Sequence, residues 1–302
     1  MSQTLAGRAA IVTGAGRGIG RATAMALARL GASVLVNDSG VASDGSDPDG
    51  TLAQAVAADI RGGGGRAIAN ADSVSDPMGA QRIVAAAAQS FGGVDILVNN
   101  AGLAVAGAIE DLDPALFDRV CDSHVKGTFY CMHFAVPHMR RRGWGRIVNL
   151  VSRAGIVGTP AMAAYGAGKG GVFGLTNVAS RELAGSGITV NAVNPSSTDT
   201  RMVAEAIESA QRAGGEAALR AENLRRALQR PEEVAVLIAS LCTEAAGRIN
   251  GQILYVARRE IGLFRPLALE RTADRDAPWT VDELVRTLGE VDFNPLDTPY
   301  AN

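Results

Sequence analysis

Short aliphatic runs alternate along this chain with longer alanine-rich stretches. The runs at 9–13, 33–37, 66–70, 94–99, 146–151, 189–193 and 252–256 are mostly apolar throughout, as strands buried on both faces of a sheet are. Between them, apolar residues recur three and four apart, the spacing of one helix face. Seven strands separated by helices predict an α/β fold, a doubly wound sheet of seven mostly parallel strands. Right-handed crossovers then place helices on both faces, and ligands bind beyond the carboxyl ends of the strands.

Three stretches break the alternation. Residues 39–50 are rich in Gly, Asp, Ser and Pro and form a loop after the second strand. Residues 196–230 are a helical insertion before the last crossover, placed to cover a substrate. Residues 258–302 follow the last strand, with a helix opening at Thr280. The expected organisation is one domain over 1–257 and a C-terminal extension over 258–302, packed on that domain or on a partner subunit.

Bulk composition removes several function classes. The 302 residues are 47% hydrophobic and 20% charged, with a formal charge of −2, the profile of a globular protein with a sizeable core. The triplet Arg140, Arg141 and Arg142 reads as the solvated end of a helix, so neither nucleic acid nor an anionic membrane is expected as a partner. The N-terminus lacks the pattern of an export signal, and the apolar runs are too short to cross a bilayer. Cys121, Cys131 and Cys242 sit in helical segments without metal-ligand spacing and read as reduced core thiols of a cytoplasmic protein.

A glycine loop follows the first strand. Gly14, Arg17, Gly18, Ile19 and Gly20 open a helix, where missing side chains let a pyrophosphate approach backbone N–H groups and the positive helix end. Asp38, at the end of the second strand, is suited to accept both ribose hydroxyls of NAD and to repel the 2'-phosphate of NADP. Arg17 pulls the other way, since a guanidinium there suits that phosphate. Asp38 decides for NAD. Asp44, Asp47 and Asp49 add to the repulsion or form a solvated acidic loop. Asp72 and Ser73 lie at the same sheet edge; Asp72 either accepts from an adenine amino group or caps a helix. Asn100, Ala101 and Gly102 either line the adenosine ribose or make a turn.

Farther on come Ser152, behind the fifth strand, and Tyr165 and Lys169 on the opening turn of a helix. Four residues apart, Tyr165 and Lys169 share a face, and an ammonium there lowers the cost of a phenolate. Bringing a phenol from its usual pKa near 10 to neutrality needs about 4 kcal/mol, from Lys169 and a cationic nicotinamide together. Tyr165 can then exchange a proton with a carbinol or carbonyl while Ser152 fixes the oxygen, and no metal is needed. His133 and His138 are too scattered to be ligands.

Residues 13–20, 99–102, Ser152 and the run from Tyr165 to Lys169 resemble the short-chain dehydrogenase/reductase family, over about residues 5–256. The resemblance implies a Rossmann-type fold with Tyr165 as acid/base and Ser152 holding the substrate oxygen. It assigns Lys169 to the nicotinamide ribose and to lowering the Tyr165 pKa. Two departures stand out. His124 occupies the position of an Asn that supports a water leading protons to the Lys, and is either a relay or an ordinary core residue. Pro195 is followed by Ser196 where the family has Gly, although Thr200 matches the threonine that contacts the carboxamide. Within the family, His124, the run from Val36 to Asp38, and the tail look like (3R)-hydroxyacyl-CoA dehydrogenase units of multifunctional β-oxidation enzymes and bacterial steroid-pathway dehydrogenases.

The sequence therefore predicts an NAD-dependent oxidoreductase for a secondary alcohol or ketone on a bulky apolar substrate, a 3-hydroxyacyl-CoA or a hydroxysteroid. An NADPH-dependent ketoreductase and a silent cofactor-sensing protein are the rivals. Arg201, Arg212, Arg220, Arg225, Arg226 and Arg230 either meet CoA phosphates or form a solvated face with glutamate partners. The helices of 116–142 and 166–183 carry surplus apolar surface, and the resemblance implies that they pair across a two-fold axis, so a homotetramer is expected, with a dimer second.

Overall fold

The computed structural model describes residues 3–42, 46, 49–264 and 278–289. The chain divides into two compact units, Met1–Phe264 and Arg265–Asn302. In the first, the elements run β1 (Ala9–Thr13), α1 (Gly18–Arg29), β2 (Ser33–Asn37), α2 (Thr51–Gly62), β3 (Arg66–Asn70), α3 (Pro77–Phe91) and β4 (Ile96–Asn99). Then follow α4 (Pro114–Cys121), a π-helical turn (Asp122–Lys126), α5 (Gly127–Arg142), β5 (Gly145–Leu150), α6 (Arg153–Ile156), α7 (Ala163–Glu182) and β6 (Ile188–Pro195). The unit closes with α8 (Arg201–Ala213), α9 (Gly215–Ala227), α10 (Pro231–Leu241), β7 (Ile253–Ala257) and β8 (Glu260–Leu263).

One sheet has the order β3-β2-β1-β4-β5-β6-β7-β8. Its first seven strands are parallel, and β8 pairs antiparallel with β7. The eighth strand departs from the seven expected. Its four residues are largely exposed and its turn consists of two arginines, so neither a buried aliphatic run nor an Asn-Gly turn marks it in the sequence. Apolar cores flank the sheet. Val12, Val34 and Val98 pack with Leu27, Ile60 and Ile238 on one face, while Ile11, Leu35 and Leu97 pack with Ile83, Met139 and Leu183 on the other. Each fully buried Leu or Ile contributes about 1.5–3 kcal/mol, so both faces hold the strands in register.

Local signals set the boundaries. Asp76 accepts hydrogen bonds from Met78 N and Gly79 N ahead of Pro77, and Gly92 ends α3 at φ +80, the cap pattern of a well-signalled helix. The arginine triplet ends α5 as expected, but Arg142 is not merely solvated. Its Nη1 donates to both oxygens of the fully buried Asp95, at 3.0 and 2.8 Å, because a carboxylate at the base of the sheet requires a cation.

In the second unit, α11 (Val281–Gly289) opens with a reciprocal cap. Thr280 N donates to Glu283 Oε2 at 2.9 Å, and Glu283 N to Thr280 Oγ1 at 3.4 Å. Residues 265–277 and 290–302 of the expected extension lie outside the described residues.

Candidate active site

The strand order reverses between β1 and β4, which opens a crevice at their carboxyl ends. A cavity of about 440 Å³ lies there, reaching from Asp38 and Asp72 to Tyr165 and Lys169. Gly14 takes φ +61, and a Cβ on it would lie 2.8 Å from Ala101 Cα; a Cβ on Gly20 would lie 2.1 Å from the Gly14 carbonyl oxygen. Only glycine permits that approach. Arg17, the N-cap residue of α1, makes no side-chain cap, so the helix start presents N–H groups and its dipole to the cavity beside Gly18 and Ile19. Gly20 is buried behind this wall. These residues fit a dinucleotide pyrophosphate.

Asn100 binds the two loops together. Its Nδ2 donates to the Thr13 and Gly14 carbonyls at 3.0 and 2.8 Å, and Thr13 Oγ1 accepts from Asn100 N and Ala101 N, each at 3.1 Å. The Asn100 amide is thus spent on holding the glycine loop, while Asn100, Ala101 and Gly102 line the cavity. At the far end, Asp38 Oδ2 accepts from Gly16 N and Oδ1 from Gly40 N, both at 2.7 Å. The carboxylate is fixed at the cavity wall, with Arg17 on the same wall. Asp49 is engaged elsewhere, accepting from Thr51 N and Oγ1 at the start of α2; Asp44 and Asp47 lie outside the described residues. The cap of α3 is Asp76 and not Asp72. Asp72 lines the cavity and accepts from Arg82 Nε at 2.7 Å and Asn70 Nδ2 at 2.8 Å. Ser73 beside it accepts from Ser75 N at 3.2 Å.

The catalytic candidates gather at the ends of β5 and β6. Ser152 caps the short α6, its Oγ accepting from Ala154 N at 3.2 Å, and it shares a hydrogen bond with the Tyr165 hydroxyl. Tyr165 lies in the first turn of α7, and Lys169 one turn on, its Nζ 5.7 Å from the Tyr165 ring centroid. The electrostatics differ from the sequence expectation. Lys169 Nζ is buried and donates to the Leu150 carbonyl at 2.7 Å, and burial brings its pKa down to about 7. For Tyr165, burial pushes the phenol above its usual value, opposed by the bond with Ser152. Lys169 is thus directed at the sheet, where desolvation disfavours its ammonium.

His124 belongs to the same cluster. The π-helical turn carries it into a slot between two glycines: a Cβ on Gly102 would lie 1.9 Å from its Cε1, and one on Gly168 3.0 Å from its Cδ2. Its ring stands edge-on to Tyr165, centroids 5.4 Å apart. Burial first, then the Lys169 charge, holds the imidazole pKa well below its usual value, against the bond to Leu103. The ring is therefore neutral, with Nε2–H donating to the Leu103 carbonyl at 2.7 Å. That leaves Nδ1 as an acceptor.

Pro195 and Thr200 line the cavity above this cluster. Thr200 caps α8 through Val203 N at 3.4 Å, and its methyl is 3.0 Å from where a Gly18 Cβ would stand. Arg201, next along, donates to the Val41 carbonyl at 3.0 Å across the cavity mouth. Arg212, Arg220 and Arg226 pair with Glu208, Glu216 and Glu222 on their own helices, and Arg225 reaches Gln211. Arg230 opens α10, its N donating to Glu233 at 2.7 Å.

Sequence reasoning missed Asn194. Buried at the end of β6, it accepts from Arg153 N at 3.0 Å and so fixes the backbone that carries Ser152. A polar residue inside an aliphatic strand was the available signal.

The family model for short chain dehydrogenases matches residues 8–211. The chain is 35% identical to a hydroxyacyl-CoA dehydrogenase of Mycobacterium tuberculosis, over 94% of this chain and 88% of that protein. It is 40% identical to cis-4-hydroxycyclohexanecarboxylate dehydrogenase of Sinomonas cyclohexanicum, over 85% and 97%. A crystal structure of a short chain dehydrogenase from Mycobacterium avium superimposes with a TM-score of 0.79 at 34% identity, covering 95% of this chain and 94% of that one. Fold, glycine cradle and relatives agree: the chain belongs to the short-chain dehydrogenase/reductase family, oxidoreductases acting on CH–OH groups with a nicotinamide dinucleotide.

Proposed function

We propose that the protein is an NAD-dependent dehydrogenase that interconverts a secondary alcohol and a ketone on a 3-hydroxyacyl-CoA or a hydroxysteroid. The observation that carries this reading is one cavity with Asp38 at one end and Tyr165 and Lys169, backed by Ser152, at the other. Asp38 favours two ribose hydroxyls over a phosphate, since a 2'-phosphate would set like charges in contact. Leu103, Val151 and Met202 supply apolar wall, and the relatives acting on hydroxyacyl-CoA and cyclohexane alcohols support a bulky apolar substrate.

A nicotinamide dinucleotide held in this cavity would supply the acceptor for the hydride leaving the carbinol carbon, and would bring a cationic ring beside Tyr165. With that cationic ring favouring its phenolate, Tyr165 would take the hydroxyl proton, and Ser152 would hold the oxygen within reach of that phenol. Lys169 would hold the nicotinamide ribose, with the Leu150 carbonyl fixing the direction of its amine. His124, neutral and with Nδ1 as acceptor, takes the family's Asn position and would support a water leading protons toward Lys169. Asn100, Ala101, Gly102, Asp72, Ser73, Pro195 and Thr200 complete the cofactor wall.

A cytoplasmic homotetramer goes with this reading. Phe117, Phe129 and Val178 are exposed on α4, α5 and α7, which suits burial against a second copy; a light-scattering mass of one 31.1 kDa chain would contradict it. Among the described residues no helix is long and apolar enough to cross a membrane. The activity is tested by offering 3-hydroxyacyl-CoA and hydroxysteroid panels with NAD and with NADP and following absorbance of the reduced cofactor. Turnover of one panel with NAD is expected; cofactor binding without turnover of either would overturn the assignment.

A further inference from the structure

The helix pair above the cavity has little core of its own. Ile207 is the buried residue of α8 and Ala221 that of α9, in helices of 13 residues each. Helices with so little burial take their position from their ends.

One end is held by a buried amide. Gln229, 1% exposed, places Nε2 at 3.1 Å from each of the Ser196 carbonyl, Thr198 Oγ1 and the Val256 carbonyl. Its backbone pairs with Ser197 and Asp199. Both ends of the insertion thus converge on Val256, near the end of β7.

The remaining acceptor of that amide, Oε1, receives Arg258 N at 2.7 Å. Arg258 is the first of two residues in the β7–β8 turn and takes φ +53, a conformation such hairpins ordinarily give to glycine. Its guanidinium reaches back to α9, with Nη2 donating to the Arg226 and Leu228 carbonyls at 2.8 and 3.3 Å. Those carbonyls stand at the negative end of α9, where helical N–H partners have run out and a cation is favoured. A non-glycine residue held in a disfavoured conformation by two sets of bonds points to a task for its side chain. Gln229 and Arg258 also lie outside the residues 8–211 matched by the family model.

We propose that Arg258 is a positioning residue for substrate binding. Seated by Gln229, it fixes the end of α9 and, through α9, sets α8, whose Met202 lines the cavity, so the β7–β8 hairpin governs the substrate KM. In its kinetic part the proposal rests on the alcohol dehydrogenase reading above.

The test uses the full chain with Arg258→Gly and Arg258→Lys. Glycine accepts φ +53, so the turn persists while the guanidinium is lost. Hydrogen exchange at residues 215–228 is expected to quicken about tenfold in Arg258→Gly, with the lysine variant between it and the parent because an ammonium still caps the helix. The substrate KM rises by about fivefold or more, kcat changes less than KM, and NADH affinity measured by fluorescence stays put. Unchanged exchange at 215–228 would overturn the anchor, and faster exchange with unchanged KM would overturn its role in substrate binding. Failure of the parent protein to oxidise any alcohol would instead remove the proposed function, and the exchange measurement would still decide the anchor.

Discussion

Lys169 Nζ donates to the carbonyl of Leu150, the last residue of β5, at 2.7 Å. The amine is therefore aimed by the sheet and not by the phenol one turn before it. Buried there, its pKa falls to about 7 from 10.5. A folded-state pKa below the unfolded one means that the unfolded chain binds the extra proton between those values. Stability then rises with pH from about 7 to about 10.5, by about 1.4 kcal/mol per pH unit where the two states differ by a full proton. Comparing melting curves of the parent and Lys169→Met across pH 6.5–9.5 checks this: the parent should gain stability relative to the variant as pH rises. A constant difference would remove the claim.

Tyr165→Phe keeps the ring and its edge contact with His124 but removes the hydroxyl shared with Ser152. Turnover should fall by about 10²–10⁴-fold, the usual contribution of a positioned acid/base. NADH binding, followed by fluorescence, should persist. Undiminished turnover would mean that another group moves the proton.

Asp38→Asn retains the shape but not the charge. The ratio of kcat/KM for NAD over NADP should drop about tenfold or more, equal to 1.4 kcal/mol of differential binding. An unchanged ratio would show that Arg17 or the neighbouring loop sets cofactor choice.

Gly102→Ala drives a methyl to 1.9 Å from His124 Cε1. Overpacking of this kind costs about 1–3 kcal/mol, read as a lower denaturation midpoint. In the His124→Ala background the same change should cost much less, and equal costs in the two backgrounds would place the clash elsewhere.

Much of this architecture was legible because parallel strands are buried on both faces. β1, β2 and β3 begin and end at the residues their aliphatic runs mark, and Tyr165 and Lys169 share a face because helix periodicity is local. Glycines at 14, 18 and 20 announce a close backbone approach for the same reason. No local rule announced the exposed strand β8, whose turn carries Arg258 at a position suited to glycine.

Sequence by itself determined the layers, the crevice and the residue types gathered there, since each follows from neighbours within a turn or a strand. Only the tertiary structure decided that Arg142 meets Asp95, that His124 sits in a slot made by Gly102 and Gly168, and that Gln229 ties the insertion to β7. Those partners are far apart along the chain, and strand register and helix placement fix their distances. Burial sets the charge on Lys169 in the same way, because the desolvation of an ammonium depends on everything packed around it and on no sequence pattern.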